Sequence, residues 1–336
     1  MTLREYLIKR VLLIIPTFLG ITLITFLVIQ LSPGDPAAMK LGVGEQGMLS
    51  DNVTREIIEQ TNKLYGLDKP IWTRYGIWLK RVVTFDFGNS YKDHRPVIDK
   101  IKERLPVTLE LNIISIFLVY LIAIPIGVFS AVRQGSLGDR VTTVVLFIFY
   151  SLPNFWVAVL LIMFLGGGDF LDLFPVYGIA SSGMEGASFF ARFADHIWHL
   201  ILPVFCLTYG GFAALSRYQR AGMLEVIRQD YIRTARAKGL PEKVVIFKHA
   251  FRNSLIPIVT LLGSLLPGMF GGSVIIESIF SIPGMGQLGF ESVLSRDYPV
   301  VLAIATISAF LTLLGLLISD LLYVWVDPRI SYEAEN

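Results

Sequence analysis

Six apolar blocks constrain this chain more than any other feature. They cover residues 11–31, 105–132, 141–165, 197–216, 254–281 and 299–326. Each reaches the roughly 20 residues that a helix needs to cross hydrocarbon. Three blocks carry no charged side chain, and the others carry one acid each: Glu110, Glu277 and Asp320. Charged residues make up 17% of the chain, against roughly 25% in soluble domains. The sequence therefore predicts an all-α polytopic membrane protein with six transmembrane helices.

Lys and Arg gather in the short cytoplasmic loops of such proteins. With the N-terminus inside, that side holds Arg4, Lys9, Arg10, Arg133, Arg140, nine basic residues from Arg217 to Arg252, and Arg329. The two short outer loops hold only Arg192 and Arg296. The expected topology is N-in and C-in. The basic flank of the first block also fits a signal peptide. Its apolar run is longer than the ~7–15 residues of such a segment, so it is read as a retained span. The expected divisions are 1–31 (N-terminal segment and first span), 32–104 (extracytoplasmic loop with short helices), 105–326 (five-span core) and 327–336 (cytoplasmic tail). Cys206 is the one cysteine and lies in a span, which excludes a disulfide within the chain.

The outer loop should form a small helical cap. Asp51 or Asn52 suits a helix start and Gly66 a stop. Pro70 suits the start of a second helix, with Ile71, Tyr75, Trp78 and Val82 on one face. This cap either packs on the spans or touches a delivery protein.

The soluble elbow at 217–252, between the fourth and fifth blocks, is the main functional candidate. Met223, Ile227, Tyr231 and Ala235 recur every fourth residue, which predicts a helix over 220–238. Gly239 suits a left-handed stop and Pro241 the first turn of a second helix, with Val244, Phe247 and Phe251 on one side. Helix, break, helix makes a protruding corner with an apolar face and a basic rim, which fits a groove on a partner protein. The alternative is a solvated basic loop near anionic lipid headgroups.

The elbow residues Tyr231, Ala235, Ala237, Gly239, Leu240, Pro241, His249, Arg252 and Asn253 resemble the cytoplasmic coupling ("EAA") loop of permeases in ABC-type importers of the peptide/nickel class. Arg233-Thr234-Ala235 replaces the usual Glu-Ala-Ala, and His249-Ala250-Phe251-Arg252 replaces Ile-x-Leu-Pro. The resemblance extends along the chain through Ser32-Pro33-Gly34-Asp35-Pro36, Asp86-Phe87-Gly88-Asn89-Ser90, Glu277-Ser278-Ile279-Phe280-Ser281-Ile282-Pro283-Gly284-Met285-Gly286, Arg296-Asp297-Tyr298-Pro299 and Asp327-Pro328-Arg329-Ile330. The long loop after the first span resembles that of the first, B-type, permease subunit. Asp172-Leu173-Phe174-Pro175 is similar to the branch that handles peptides and microcin C.

The resemblance implies a non-catalytic permease in a prokaryotic inner membrane. Its implied partners are a second, C-type permease, two cytoplasmic ATP-binding subunits, an extracytoplasmic substrate-binding protein and a peptide substrate within the lipid bilayer. Nucleic acid and cofactors are not expected. Nickel or oligosaccharide cargo, or a channel or exporter component without ATP coupling, are the alternatives.

No phosphate-binding G-x-x-x-x-G-K-[ST] loop occurs, so ATP chemistry must come from another chain. His196, His199 and Asp195 share helical spacing and suggest a metal site; interfacial hydrogen bonding is the simpler expectation. Glu277 and Asp320 are acids within spans, where charge is costly and faces a cavity or a partner. Structural hydrogen bonding is favoured for both over contact with a peptide amino terminus. Gly268-x-x-x-Gly272 suggests a close helix contact.

Overall fold

The computed structural model describes residues 3–31, 69–166 and 170–326. The expected Asp51/Asn52 helix start, Gly66 stop and 327–330 motif lie outside them. Among the described residues the only β pairing is a bridge between Asn89 and Pro96; the regular structure is otherwise helical.

Helix α1, Leu3–Gln30, is the first span. Helix α2, Ile71–Val83, starts directly after Pro70, as the fixed proline φ favours. Its Tyr75 and Trp78 rings pack on Phe26 of α1 at 5.5 and 5.6 Å. The Tyr75 hydroxyl also reaches Leu19 O, at 3.2 Å. The face predicted from spacing thus packs on a span.

Helices α3, Val97–Val132, and α6, Phe189–Ile227, form the centre of the molecule. They lie parallel. A side chain at Gly127 would meet Gln219 at 2.6 Å, and one at Gly211 would meet Val119 at 2.9 Å. Contacts eight residues apart on one helix are eight apart on the other, in the same order. Missing side chains at Gly127 and Gly211 let the two backbones close up.

Between them, 141–165 is not one continuous helix. Helices α4, Leu137–Ser151, and α5, Asn154–Leu161, meet at a 94° bend, and α5 continues through a π-helical turn, Ile162–Gly166. The cause is Pro153, which disfavours helical backbone at Leu152; Leu152 is extended with ψ 127. The Tyr209 hydroxyl, on α6, donates to the Leu152 carbonyl freed by the bend, at 2.8 Å.

The predicted block 254–281 is also broken. Helix α7, Asp230–Ala237, and a helical run over 242–254 lead into α8, Ile256–Leu265. A 3₁₀ turn follows at Leu266–Phe270, then α9, Val274–Ile279. Pro267 lacks the N–H a continuing helix needs, and Gly272 turns left-handed at φ 66. A side chain at Gly268 would meet open space, whereas one at Gly272 would lie 2.7 Å from the Gly286 nitrogen, so the close approach expected from the Gly268/Gly272 spacing occurs at Gly272. Helices α10, Met285–Leu294, and α11, Tyr298–Val326, complete the chain. Among the described residues four helices are long and apolar enough to cross a membrane, or five with the bent pair counted as one.

Candidate functional site: the elbow and the buried carboxylates

The elbow forms, but its helices differ in phase from the sequence pattern. Helix α6 stops at Ile227 and Gln229 is extended, so α7 begins afresh at Asp230. The four-residue stripe is interrupted there. Ile232 and Ala235 turn inward, while Tyr231 and Ala237 face out. The second helix is π-helical over Val245–Phe251. Its i to i+5 repeat moves the buried side to Val245, Ile246 and Ala250 and leaves Phe247 61% exposed.

The corner itself is a Schellman stop. Leu240 N–H donates to Ala235 O and Gly239 N–H to Arg236 O, at 3.4 and 2.9 Å. Gly239 sits at φ 78 with open space where a side chain would go, so backbone conformation alone requires glycine there. Pro241 precedes the first turn of the next helix. Arg236 and Glu242 pair across the break, with Nη2–Oε1 at 2.8 Å. The Arg236 hydrogen bond lowers the Glu242 carboxyl from its usual range, and Glu242 in turn raises Arg236.

Beneath the corner lies an apolar seat. Val128 and Ala131 from the end of α3 and Met223 from α6 pack with Ile232, Ala235, Val245, Ile246 and Ala250 of the elbow. The opposite surface leaves Tyr231, Leu240 and Phe247 exposed. Asn253 Nδ2 donates to the Tyr231 hydroxyl and to His249 O, both at 3.1 Å, tying the second helix to α7. His249, Arg252 and Asn253, with Tyr231, line a hollow of about 580 Å³ beside the elbow. The adjoining α3–α4 turn is held by Asp139, which accepts from Gly135 N–H and from Arg220 on α6 at 2.9 and 3.1 Å.

Glu277 is buried and held by many donors. Its carboxylate accepts from the Thr108 hydroxyl at 3.1 Å and from the N–H groups of Ser273 and Gln287 at 3.2 and 2.8 Å. Thr108 Oγ1 in turn accepts from Met285 N–H at 2.7 Å. Gly272, Gly284 and Gly286 wrap the carboxylate: a side-chain carbon at Gly284 would lie 2.4 Å from Glu277 Cδ. The motif glycines of 277–286 thus make room for the acid that begins it.

A second carboxylate joins two further motif stretches. Buried Asp297 accepts from the Ser90 hydroxyl and from Tyr91 N–H, the latter at 2.8 Å. Lys100 Nζ donates to Asp93 at 2.7 Å. Asp320, on α11, pairs with Arg10 on α1 at 2.9 Å.

The histidines are engaged by protein groups. His196 Nδ1 donates to Ile179 O at 2.8 Å, and Nε2 meets Glu110 Oε1 at 2.7 Å. A carbonyl only accepts, so Nδ1 carries its proton, and the second bond needs another on Nε2 or on Glu110. His199 Nδ1 donates to Asp195 O at 2.8 Å. Asp195 accepts from the Ser181 N–H and hydroxyl. Sequence reading noted Glu110 as the single charge of its block but had no means to find His196 as its partner.

Helical spans, a seated basic elbow between them and carboxylates that knit distant motif stretches are what a transport permease requires. The model of the family described as "Binding-protein-dependent transport system inner membrane component" matches residues 123–332. Its N-terminal companion, "Binding-prot-dependent transport system membrane comp, N-term", matches 3–112. The chain is 43% identical over 328 residues to the oligopeptide transport system permease protein AppB of Bacillus subtilis, covering 97% of this chain and 99% of the relative. It is 37% identical to the inner membrane ABC transporter permease protein YejB of Escherichia coli O157:H7, over 98% and 99% of the two chains. It is 35% identical to the dipeptide transport system permease protein DppB of Escherichia coli K12, again over 98% and 99%. This chain belongs to that family: it is a multi-pass inner membrane permease subunit, with no catalytic role of its own.

Proposed function

We propose that this permease is the B-type subunit of an ATP-driven importer of di- or oligopeptides. It forms the path with a C-type permease, takes cargo from an extracytoplasmic binding protein and couples to two cytoplasmic ATPases at the Gly239 corner. Peptide cargo is inferred from the likeness to the oligopeptide permease AppB and the dipeptide permease DppB. The observation that carries the coupling role is the two-faced elbow: one side seated on α3 and α6, the other presenting Tyr231, Leu240 and Phe247. A loop that only hovered near lipid headgroups needs neither the Schellman stop nor the seat.

The topology proposed is six spans, N-in and C-in. The parallel packing of α3 on α6 supports it, since the bent α4–α5 pair must then return the chain across the membrane between them. The broken 254–279 segment counts as the fifth span. Glu277 and Asp320 serve as structural acids, supported by the donors around the Glu277 carboxylate and by the Arg10–Asp320 ion pair.

The test is to purify the tagged chain in mild detergent and identify its companions by mass spectrometry. A second permease and ATPase chains are expected; a lone chain or homo-oligomer would favour a channel. In the intact complex, Gly239→Val forces a β-branched side chain into left-handed backbone. It should uncouple ATP hydrolysis from peptide uptake while membrane insertion persists. Normal uptake by this variant refutes the coupling role.

A further inference from the structure

The hollow beside the elbow carries chemistry that the corner does not use. Gly239 and Leu240 take no part in its lining. One wall is polar and cationic, with Lys248, His249, Arg252 and Asn253; the other is apolar, with Ile256 and Val259 of α8. Lys248, Arg252 and Ile256 all line the hollow, so the lining changes from cationic to apolar as the chain passes into α8. The ion pairs near the elbow join Arg220 to Asp139, Arg233 to Asp230 and Arg236 to Glu242. Neither Lys248 nor Arg252 has a carboxylate within 4 Å among the described residues, and both are exposed. Asn253 spends both of its amide N–H bonds on Tyr231 and His249 and so braces the lining rather than offering a donor.

We propose that this hollow binds the phosphate headgroup of an anionic phospholipid, with an acyl chain laid along Ile256 and Val259. Two cations, Lys248 and Arg252, suit a phosphate diester. The apolar wall suits a tail, which a free phosphate ion lacks. A volume of about 580 Å³ falls within the roughly 300–1,000 Å³ of small-molecule sites. The site lies where a soluble basic segment enters an apolar helix, the level at which headgroups sit. The hollow shares Tyr231 with the proposed ATPase-facing surface, but the inference rests on Lys248, Arg252, Ile256 and Val259 and needs no partner chain.

The test is native mass spectrometry of the full chain released from micelles doped with equal phosphatidylglycerol and phosphatidylcholine. One phosphatidylglycerol should be retained in preference. The double variant Lys248→Gln/Arg252→Gln should lose that retention by about tenfold or more, since each basic residue at a membrane surface contributes severalfold to anionic lipid binding. Lys243→Gln, a change of the same charge on the elbow outside the hollow, should keep it. Equal loss in Lys243→Gln would reduce the effect to general surface charge and overturn the site. Equal retention of both lipids, or an unchanged double variant, would do so too. Displacement of the lipid by millimolar inorganic phosphate would assign the hollow to a free anion instead. Circular dichroism of the double variant, with Arg252→Lys restoring retention in the Lys248 background, separates lost binding from lost folding.

Discussion

The elbow and the Glu277 cage are both built around glycines, and the glycines do opposite work. Gly239 has empty space around it and is required only by its φ of 78. Gly284 has an ordinary negative φ and is required because Glu277 fills the space a side chain would take. The first glycine sets the direction of the chain and leaves the surrounding surface free. The second surrenders all its surface to a buried carboxylate. A region that satisfies every donor and acceptor internally has nothing left to offer a partner. The elbow, with exposed aromatic and aliphatic side chains over a packed seat, does.

Substitutions can break that contrast. Gly284→Ala should lower stability most, by roughly 3 kcal/mol or more, because it overpacks the cage and strands its donors. Thermal unfolding in detergent measures this. Ile232→Ala empties the elbow's seat and should cost about 2–4 kcal/mol, with the Ser90–Asp297 contact and the outer loops still protected in hydrogen exchange. Gly239→Ala meets no atom and should cost only about 1 kcal/mol, the price of left-handed backbone. Equal losses at Gly239 and Gly284 would show that the two glycines do the same job. Phe247→Ser should leave stability within about 0.5 kcal/mol yet weaken capture of the ATPase subunits in pull-down.

The smallest effect concerns acid. Burial pushes the Asp93 carboxyl up, but hydrogen bonds from Lys100 and the Arg95 N–H outweigh it and hold Asp93 at about 2. A folded value below the unfolded one stabilises fully above the ordinary carboxylate range, and that contribution fades as pH falls towards 2. The unfolding temperature of Asp93→Asn should therefore differ from the parent at pH 5 and converge with it only as pH falls below about 2. A constant gap would place the Asp93 contribution elsewhere than in its charge.

Much of this was legible in the sequence, and the misses share a cause. Apolar length marked four blocks that form long apolar helices and a fifth that forms the bent pair, because hydrocarbon thickness acts on every residue of a block; block 254–281 forms no single helix. The Gly239–Pro241 corner was legible because left-handed backbone and a missing N–H are local demands. What failed was phase. The extended Gln229 and the π-helical turn at Val245 shift the buried face from Tyr231 to Ile232 and from Phe247 to Ile246. Composition does not register either shift. Each proline in a block marks where a span can bend, not whether it does: Pro153 sits at the 94° bend, while Pro125 and Pro203 lie inside continuous helices. The Ser90–Asp297, Glu110–His196 and Thr108–Glu277 contacts join residues far apart in sequence, where no periodicity speaks.

One helix belongs to both regions. Helix α3 gives Thr108 to the Glu277 cage and Val128 to the elbow's seat, about 30 Å apart at 1.5 Å per residue. Between them its backbone is laminated to α6, with glycine at each closest approach. Two plies bonded along their length bend far less than either alone. Under the proposed coupling, a push on the elbow would be carried along this pair of helices, and the Glu277 cage at its far end is where the resulting tilt would be absorbed or passed on.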